Sequence, residues 1–222
     1  MILHYIYDPL CGWCYGAKPL VQAARQALPV IAHGGGMMTG ANRQQVSPQL
    51  RDYVMPHDRR IAEYTGQPFG EAYFQGLLRD HTAVFDSAPP IAAVLAAEQI
   101  DGRGLDLLGR LQTAHYVEGR RIADRAVLLE LAVAEGFPAA EFLEAFERAD
   151  AAQHIRDSRQ LLARVGGQGF PTFVLERDGH FTLLDISPWL GKPEAFVQWL
   201  RAARAVSPIA AGKAVCGIDG CA

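Results

Sequence analysis

The stretch ILHYIYDPLCGWCY, residues 2–15, predicts a buried strand that leads directly into a helix carrying two cysteines. Its first six residues form an almost continuous apolar and aromatic run, which is typical of a central strand covered on both faces. Asp8-Pro9 ends that strand, and Cys11 and Cys14 follow at the start of the next apolar pattern. Two thiols at this spacing, at a junction between a strand and a helix, indicate redox chemistry.

The predicted position of Cys11 at the beginning of a helix has an electrostatic consequence. Unpaired backbone N–H groups and the helix dipole stabilise a thiolate there relative to a thiol. Only the thiolate attacks a disulfide. Cys14 lies one turn further along the same helical face, where it can resolve the mixed disulfide that Cys11 forms. The alternative is a pair of buried structural thiols, which the junction between strand and helix disfavours.

Length and composition place the chain among ordinary globular proteins. It has 222 residues, of which 50% are hydrophobic and 20% charged, with a formal net charge of −3, so it can bury a substantial core without disulfides. No basic field points to nucleic acid, and no apolar run reaches the roughly 18 residues of a membrane span. The N-terminus lacks the features of a secretory signal peptide. We therefore expect a cytoplasmic protein whose four cysteines are catalytic or metal-binding, without nucleic-acid or membrane partners.

The remaining sequence alternates between helical and strand patterns. Glycine, proline and changes of apolar periodicity mark the boundaries between them. The predicted elements are a helix over 12–28 kinked at Pro19, a short strand at 30–32, a helical block over 47–165, two strands at 170–175 and 181–184, and a closing helix from Pro193. Within the block, residues 86–90 open one helix and Asp124 is a candidate N-cap for another.

This order of elements is that of an α/β protein with a thioredoxin fold interrupted by a large all-helical insertion. We assign residues 1–40 and 166–206 to a discontinuous thioredoxin-fold domain and residues 41–165 to the helical insertion domain. Residues 207–222 then form a flexible C-terminal tail.

Two motifs in this arrangement resemble the DsbA-like branch of the thioredoxin superfamily, especially its cytoplasmic, FrnE-like members. DPLCGWCY at 8–15 is similar to that group's Asp-x-x-Cys-Pro-Trp-Cys-Tyr, and GFPTF at 169–173 is similar to its Gly-Val-Pro-Thr-Phe. The resemblance implies a thiol-disulfide oxidoreductase, acting as reductase or isomerase on protein, peptide or small-molecule disulfides. Its catalytic residues would be Cys11 and Cys14. It implies no cofactor besides the dithiol, with glutathione as a candidate co-substrate and glutathione or a thioredoxin system as the cellular reductant.

The same resemblance implies that Phe170-Pro171 is a cis peptide bond facing the cysteine pair. Cis bonds occur mainly before proline, and a fixed one exposes backbone groups that can pair with a bound peptide strand. We therefore predict that Phe170, Pro171 and Thr172 contact substrate, together with Gly12 and Trp13 between the cysteines.

Three residues depart from the family pattern. Gly12 stands where the group usually has proline, which loosens the active-site turn. Trp13 replaces the histidine of periplasmic DsbA, so we expect a less oxidising protein. Tyr5 occupies the position six before Cys11 where related folds often have a buried acid, and this leaves Asp8 and His4 as nearby candidates for the proton acceptor of Cys14.

A second cysteine pair, Cys216 and Cys221, lies in the last seven residues with two glycines between its members. Some FrnE-like proteins resemble this chain in having a terminal Cys-x4-Cys, which suggests a secondary redox pair that shuttles electrons to the first. The alternatives are a locally protective disulfide without a catalytic part and a zinc site formed by both pairs. We predict no metal.

Two other functions are compatible with these motifs. One is a glutathione-dependent isomerase or transferase of the kappa-class type on the same fold, although such relatives generally have a single Ser or Cys at the first position. The other is a non-enzymatic protein that uses its cysteines as metal ligands. His33, Met37 and Met38, near a glycine-rich loop, either border a peptide groove or serve as packing residues.

Overall fold

A four-stranded sheet lies at the centre of the computed structural model, which describes residues 1–205. Its strands are β1 (Ile2–Tyr7), β2 (Val30–Gly34), β5 (Thr172–Arg177) and β6 (His180–Leu184), while a separate ladder joins β3 (Gln44–Gln45) to β4 (Val84–Phe85). The strand order is β2-β1-β5-β6, with β1 parallel to β2 and antiparallel to β5, and with β5 antiparallel to β6. This is the mixed sheet expected of a thioredoxin fold.

Helices surround this sheet and supply most of the remaining structure. They are α1 (Gly12–Gly16), α2 (Lys18–Ala24), α3 (Pro48–Thr65), α4 (Ala88–Asp101), α5 (Gly104–Tyr116), α6 (Arg125–Ala134), α7 (Ala139–Arg148), α8 (Ala151–Arg164) and α9 (Pro193–Ala205). Among residues 1–205, none of these helices combines the length and the apolar character needed to cross a membrane.

The prediction that the first strand is central and buried is confirmed. Leu3 and Ile6 are completely buried, on opposite faces of β1. The Tyr5 ring packs on Phe173 of β5, whose ring in turn contacts Phe196 of α9. The apolar run at the start of the chain therefore anchors the core directly beneath the cysteine motif.

The predicted helical block is also confirmed, since α3 to α8 all lie between β2 and β5. The segment between β2 and β5 also contains one feature that the sequence did not predict. Gln44 pairs with Phe85 and Gln45 with Val84, which forms a two-residue antiparallel ladder. Strands this short leave no alternating pattern for sequence reasoning to detect.

The helix predicted over residues 12–28 is divided into two and is shorter than expected. It breaks at Ala17, two residues before Pro19, so that the proline lies in the first turn of α2, where a missing N–H is tolerated. The helix ends at Ala24 because the N–H groups of Gln26 and Ala27 bond three residues back, to the carbonyls of Ala23 and Ala24. The short α1 thus holds little more than the cysteine motif.

Two glycines let α1 approach α3 closely. A β-carbon built on Gly12 would lie 2.4 Å from Asp58 Oδ1 and 2.9 Å from Ile61 Cδ1. A β-carbon on Gly16 would lie 2.9 Å from Ile61 Cγ2 and 3.0 Å from Thr65 Cγ2. Because Gly12 and Gly16 are four residues apart, they share one face of α1. The glycine that departs from the family's proline is therefore a packing residue against α3.

Gly12→Ala should destabilise the protein because the added methyl group overlaps Asp58 and Ile61. Overpacking of this kind lowers the free energy of unfolding by about 1 to 3 kcal/mol, measured by urea denaturation. Gly76→Ala is the matched control, since a β-carbon there meets nothing within 4 Å. Equal stability of the two variants would contradict the packing role of Gly12.

Candidate active site

Cys11 is the N-cap of α1, as the sequence predicted. Its backbone is extended, with φ −93° and ψ 115°, and its Sγ accepts a hydrogen bond from the Cys14 N–H at 3.4 Å. The Cys11 N–H donates to the Asp8 carbonyl oxygen at 3.2 Å, which closes a tight turn after β1. The Cys11 sulfur consequently lies at the positive end of the helix, where N–H donors stabilise negative charge.

The two thiols have different environments. Cys11 is 7% exposed and borders a cleft, while Cys14 is completely buried and does not line it. The Cys14 Sγ accepts a hydrogen bond from the Asp8 N–H at 3.4 Å, and burial raises the pKa of this thiol well above its ordinary value. Both cysteines are free thiols. An outer thiol that borders a cleft and a protonated inner thiol are the arrangement required of an attacking and a resolving cysteine.

The Phe170-Pro171 peptide bond is cis and faces the cysteine motif, as the family resemblance implied. The Cys11 thiol donates to the Phe170 carbonyl oxygen at 3.4 Å across 159 residues of sequence. Thr172 begins β5, and its hydroxyl donates to the Gly169 carbonyl oxygen at 2.7 Å, which stabilises the turn that carries the proline. The two predicted motifs are thus brought together at one end of the sheet.

A cleft of about 620 Å³, here called the Cys11 cleft, opens beside the outer cysteine. Its lining combines the cysteine turn, the loop after β2, helix α3 and the Phe170 side of the cis bond. The lining includes Cys11, Gly12, Met37, Met38, Asp58, Tyr73, Tyr116 and Phe170. Met37 and Met38 therefore border a groove, while His33 bonds to His4 at 2.9 Å and does not line this cleft.

A second hollow of about 390 Å³, here called the Trp13 hollow, lies on the other side of the motif. It is lined by Trp13, Pro171, Arg60, Tyr64 and residues 186, 187 and 190. The Trp13 ring makes an edge contact with Tyr64 at 6.2 Å between centroids. Trp13 also lines the Cys11 cleft, so its indole separates the two spaces.

Of the two candidates for the proton acceptor of Cys14, His4 is paired elsewhere. Its Nδ1 bonds to His33 Nε2 at 2.9 Å and its Nε2 bonds to Glu176 at 2.8 Å. Tyr5, at the position where related folds often have an acid, donates its hydroxyl to the Cys14 carbonyl oxygen at 3.2 Å. Burial raises the Tyr5 pKa well above its ordinary value, which favours the neutral phenol.

Asp8 contacts Cys14 through its backbone, while its carboxylate organises the surrounding loops. The carboxylate accepts the Leu10 N–H at 2.9 Å, the Ser87 hydroxyl at 3.0 Å and the Met37 N–H. Burial raises the pKa of Asp8, and these hydrogen bonds oppose the shift. Through these hydrogen bonds the Asp8 carboxylate holds the active-site loops in position.

The structure adds one acidic residue that sequence reasoning missed. Asp58 of α3 is only 5% exposed, lines the Cys11 cleft and accepts a hydrogen bond from the Tyr73 hydroxyl at 2.7 Å. Burial raises the pKa of Asp58 to about 6, against the opposing effects of Tyr73 and His57. The available signal was its spacing of three and seven residues from Ile61 and Thr65, which puts a carboxylate on the inward face of α3.

The second cysteine pair, Cys216 and Cys221, lies outside the described residues.

Comparison with known families defines the class of this protein. Residues 2–191 match the model of the DsbA-like thioredoxin domain, so the chain belongs to that family. It is a thiol-disulfide oxidoreductase whose reaction partners are thiols and disulfides. No curated protein matches the sequence at a significant level.

Solved structures give more specific likenesses. The chain is similar to the cytosolic disulfide reductase DsbM from Pseudomonas aeruginosa, with 56% identity and a TM-score of 0.88 over 93% of this chain and 100% of that one. A structure of the same reductase with GSH gives 54% identity and a TM-score of 0.86 over the same shares of the two chains. A putative protein disulfide isomerase from Nitrosomonas europaea is 28% identical, with a TM-score of 0.75 over 91% of this chain and 96% of that one.

The raised pKa of Asp58 predicts that its ionisation opposes folding. Between about pH 4 and pH 6 the carboxyl ionises in the unfolded chain but stays protonated in the folded one. The free energy of unfolding should therefore fall by about 3 kcal/mol over this range, relative to Asp58→Asn, and the difference should level off above about pH 6. Urea denaturation of both proteins from pH 4 to pH 8 measures this difference in the free energy of unfolding.

Asp52→Asn is the control for that experiment, because the Asp52 carboxylate lies on the same helix with a side chain that is 67% exposed. Its difference from the wild-type protein should not depend on pH in this manner. Parallel stability curves for wild type and Asp58→Asn would show that Asp58 has an ordinary pKa.

Proposed function

We propose that this chain is a cytoplasmic disulfide reductase in which Cys11 attacks the substrate disulfide and Cys14 resolves the intermediate. One observation carries the proposal. Cys11 borders the Cys11 cleft, and its Sγ lies 3.4 Å from the Phe170 carbonyl oxygen beside the cis proline. Cys14 is completely buried and does not line the cleft. A substrate in the cleft can reach only the first of these sulfurs.

The proposed reaction consists of two exchanges. The Cys11 thiolate attacks one substrate sulfur, the substrate S–S bond breaks, and its electron pair leaves on the other sulfur, which takes up a proton. Cys14 then attacks Cys11 Sγ, its proton passes to the departing substrate sulfur directly or through solvent, and the second substrate thiol is released as the Cys11–Cys14 disulfide forms. The substrate gains two electrons and two protons, and the protein loses the same number, with one proton from Cys14 and one that Cys11 released to solvent when its thiolate formed.

The residues around Cys11 have separate parts in this proposal. The exposed backbone at Phe170 and Pro171 can pair with an extended substrate strand, with Thr172 holding that turn. Gly12 leaves room between α1 and α3, and Trp13 offers an aromatic face to both the Cys11 cleft and the Trp13 hollow.

Glutathione is the proposed reductant that returns the protein to its dithiol form. The similarity to a cytosolic disulfide reductase whose structure has been solved with GSH supports both this choice and the cytoplasmic location. The Cys11 cleft, at about 620 Å³, is also within the usual range of about 300 to 1,000 Å³ for small-molecule sites. Two glutathione thiols would supply the two electrons, and no further cofactor is needed.

Cys11→Ser should abolish reduction of insulin by glutathione, because the attacking sulfur is lost. Cys14→Ser should retain the first attack and accumulate a mixed disulfide, visible by intact-mass analysis as an adduct at Cys11. Cys11→Ser provides the control for that adduct. Turnover that survives Cys11→Ser, or a Cys14→Ser protein without any adduct, would contradict the assigned roles.

The direction of electron flow can be tested through the reduction potential. With tryptophan in place of the histidine of periplasmic DsbA, we expect a value in the range of cytosolic glutathione, about −220 to −320 mV, measured by equilibration with glutathione. A value near about −120 mV, as for a strong oxidant, would contradict the reductase assignment.

The proposal extends to Cys216 and Cys221 as a secondary redox pair, which the Cys-x4-Cys spacing supports. The same equilibration applied to the Cys216→Ser/Cys221→Ser variant tests it. A two-electron titration in the variant against four electrons in the wild type supports a second redox pair, and two electrons in both proteins rejects it.

A further inference from the structure

Asp58 is a buried carboxylate on the wall of the Cys11 cleft that the disulfide exchange described above does not use. Its Oδ2 accepts the Tyr73 hydroxyl at 2.7 Å. Its Oδ1 is directed toward α1, because a β-carbon on Gly12, the neighbour of Cys11, would lie only 2.4 Å away. The carboxylate is thus anchored through one oxygen and presents the other to the turn that carries the nucleophile.

The fold keeps this carboxylate in place. Asp58 belongs to the long helix α3, and the glycines of α1 allow the two helices to pack without intervening side chains. The Tyr73 ring that bonds to Asp58 packs against Tyr116 at 5.3 Å and His115 at 5.3 Å between centroids. Groups held in this way on regular elements are positioned more accurately than groups on loops.

We propose that Asp58 is the base that accepts the proton of an incoming thiol in the Cys11 cleft, when that thiol reduces the Cys11–Cys14 disulfide. This inference rests on the proposed function, since it assigns a role in the half-reaction that restores the dithiol. A thiol with an ordinary pKa of about 8.5 is only a few per cent ionised at pH 7. A base in the cleft that removes its proton would therefore increase the rate of attack.

The reduction consists of two successive attacks by thiols. The thiol RSH enters the cleft and gives its proton to Asp58, and RS⁻ attacks Cys11 Sγ. The Cys11–Cys14 bond breaks, its electron pair passes to Cys14, and the proton leaves Asp58 for the thiolate so formed, either directly or through solvent. A second RSH repeats the proton transfer and attacks the mixed disulfide, which releases RSSR and leaves Cys11 reduced.

The groups that face Asp58 suit this role. They are His57 on α3, Tyr73 on the segment after α3, Tyr116 on α5 and Cys11 at the N-cap of α1, all of which line the Cys11 cleft. Burial raises the pKa of Tyr73 and Tyr116 well above the ordinary value, so both stay neutral near pH 7. Because the pKa of Asp58 is about 6, the carboxylate is mostly ionised at neutral pH and is still close enough to neutrality to exchange protons.

The test uses the full chain, oxidised beforehand to the Cys11–Cys14 disulfide, as wild type, Asp58→Asn and the exposed control Asp52→Asn. The rate of reduction by glutathione is followed from pH 6 to pH 9. We expect Asp58→Asn to be at least about tenfold slower than wild type near pH 6.5 and to approach it near pH 9, where the thiol ionises without help. In Asp58→Asn the rate should rise about tenfold per pH unit, with a shallower rise in wild type and Asp52→Asn.

Reduction by a phosphine is the second measurement, because a phosphine attacks the disulfide without losing a proton. Its rate should be equal in all three proteins. Equal losses with phosphine and glutathione would show that Asp58→Asn damages the site in general, and the proposal would be wrong. It would also be wrong if Asp58→Asn reacted faster with glutathione, since Asp58 would then only repel thiolates.

Dithiothreitol, used as a third reductant, separates this inference from the proposed function. A pH-dependent deficit with dithiothreitol, in a protein that glutathione does not reduce, would reject glutathione as the reductant and retain Asp58 as the base. If glutathione reduces the protein with identical pH profiles in wild type and Asp58→Asn, glutathione is retained as the reductant and Asp58 is rejected as the base.

Discussion

One buried carboxylate holds the parts of the active site together. Asp8 lies between β1 and the cysteine turn, and its oxygens accept hydrogen bonds from Leu10, Met37 and Ser87. These donors belong to the turn before α1, the loop after β2 and the start of α4. The Asp8 N–H also donates to Cys14 Sγ. Each buried donor left unpaired costs about 1 to 3 kcal/mol, so the three segments depend on this side chain, while both cysteines are held by the Asp8 backbone.

The parts of the site that sequence reasoning located are those with a local cause. An apolar run followed by Asp-Pro predicts where β1 ends, and the cysteine spacing predicts which residues share a face of α1. The cis bond before Pro171 was implied by a motif whose residues are contiguous in the chain. Its position opposite Cys11, across 159 residues, followed from the family resemblance and not from the residues alone.

The features that the sequence did not reveal arise from packing between distant segments. Gly12 was interpreted as a looser turn, whereas its absent side chain makes room for Asp58, 46 residues further along the chain. The β3–β4 ladder is too short to leave a periodic signal. The Trp13 hollow combines α3, the cis proline and residues after β6, and no single stretch of sequence contains the pattern of such a surface.

The close contact between α1 and α3 constrains how related chains can change. A proline ring at position 12, as in the family motif, would need the space that the Asp58 carboxylate occupies here. A chain with that proline must therefore have a smaller or displaced side chain at the position of Asp58, or its α3 must lie further from α1. In this chain the absence of a side chain at position 12 and the position of the Asp58 carboxylate depend on each other.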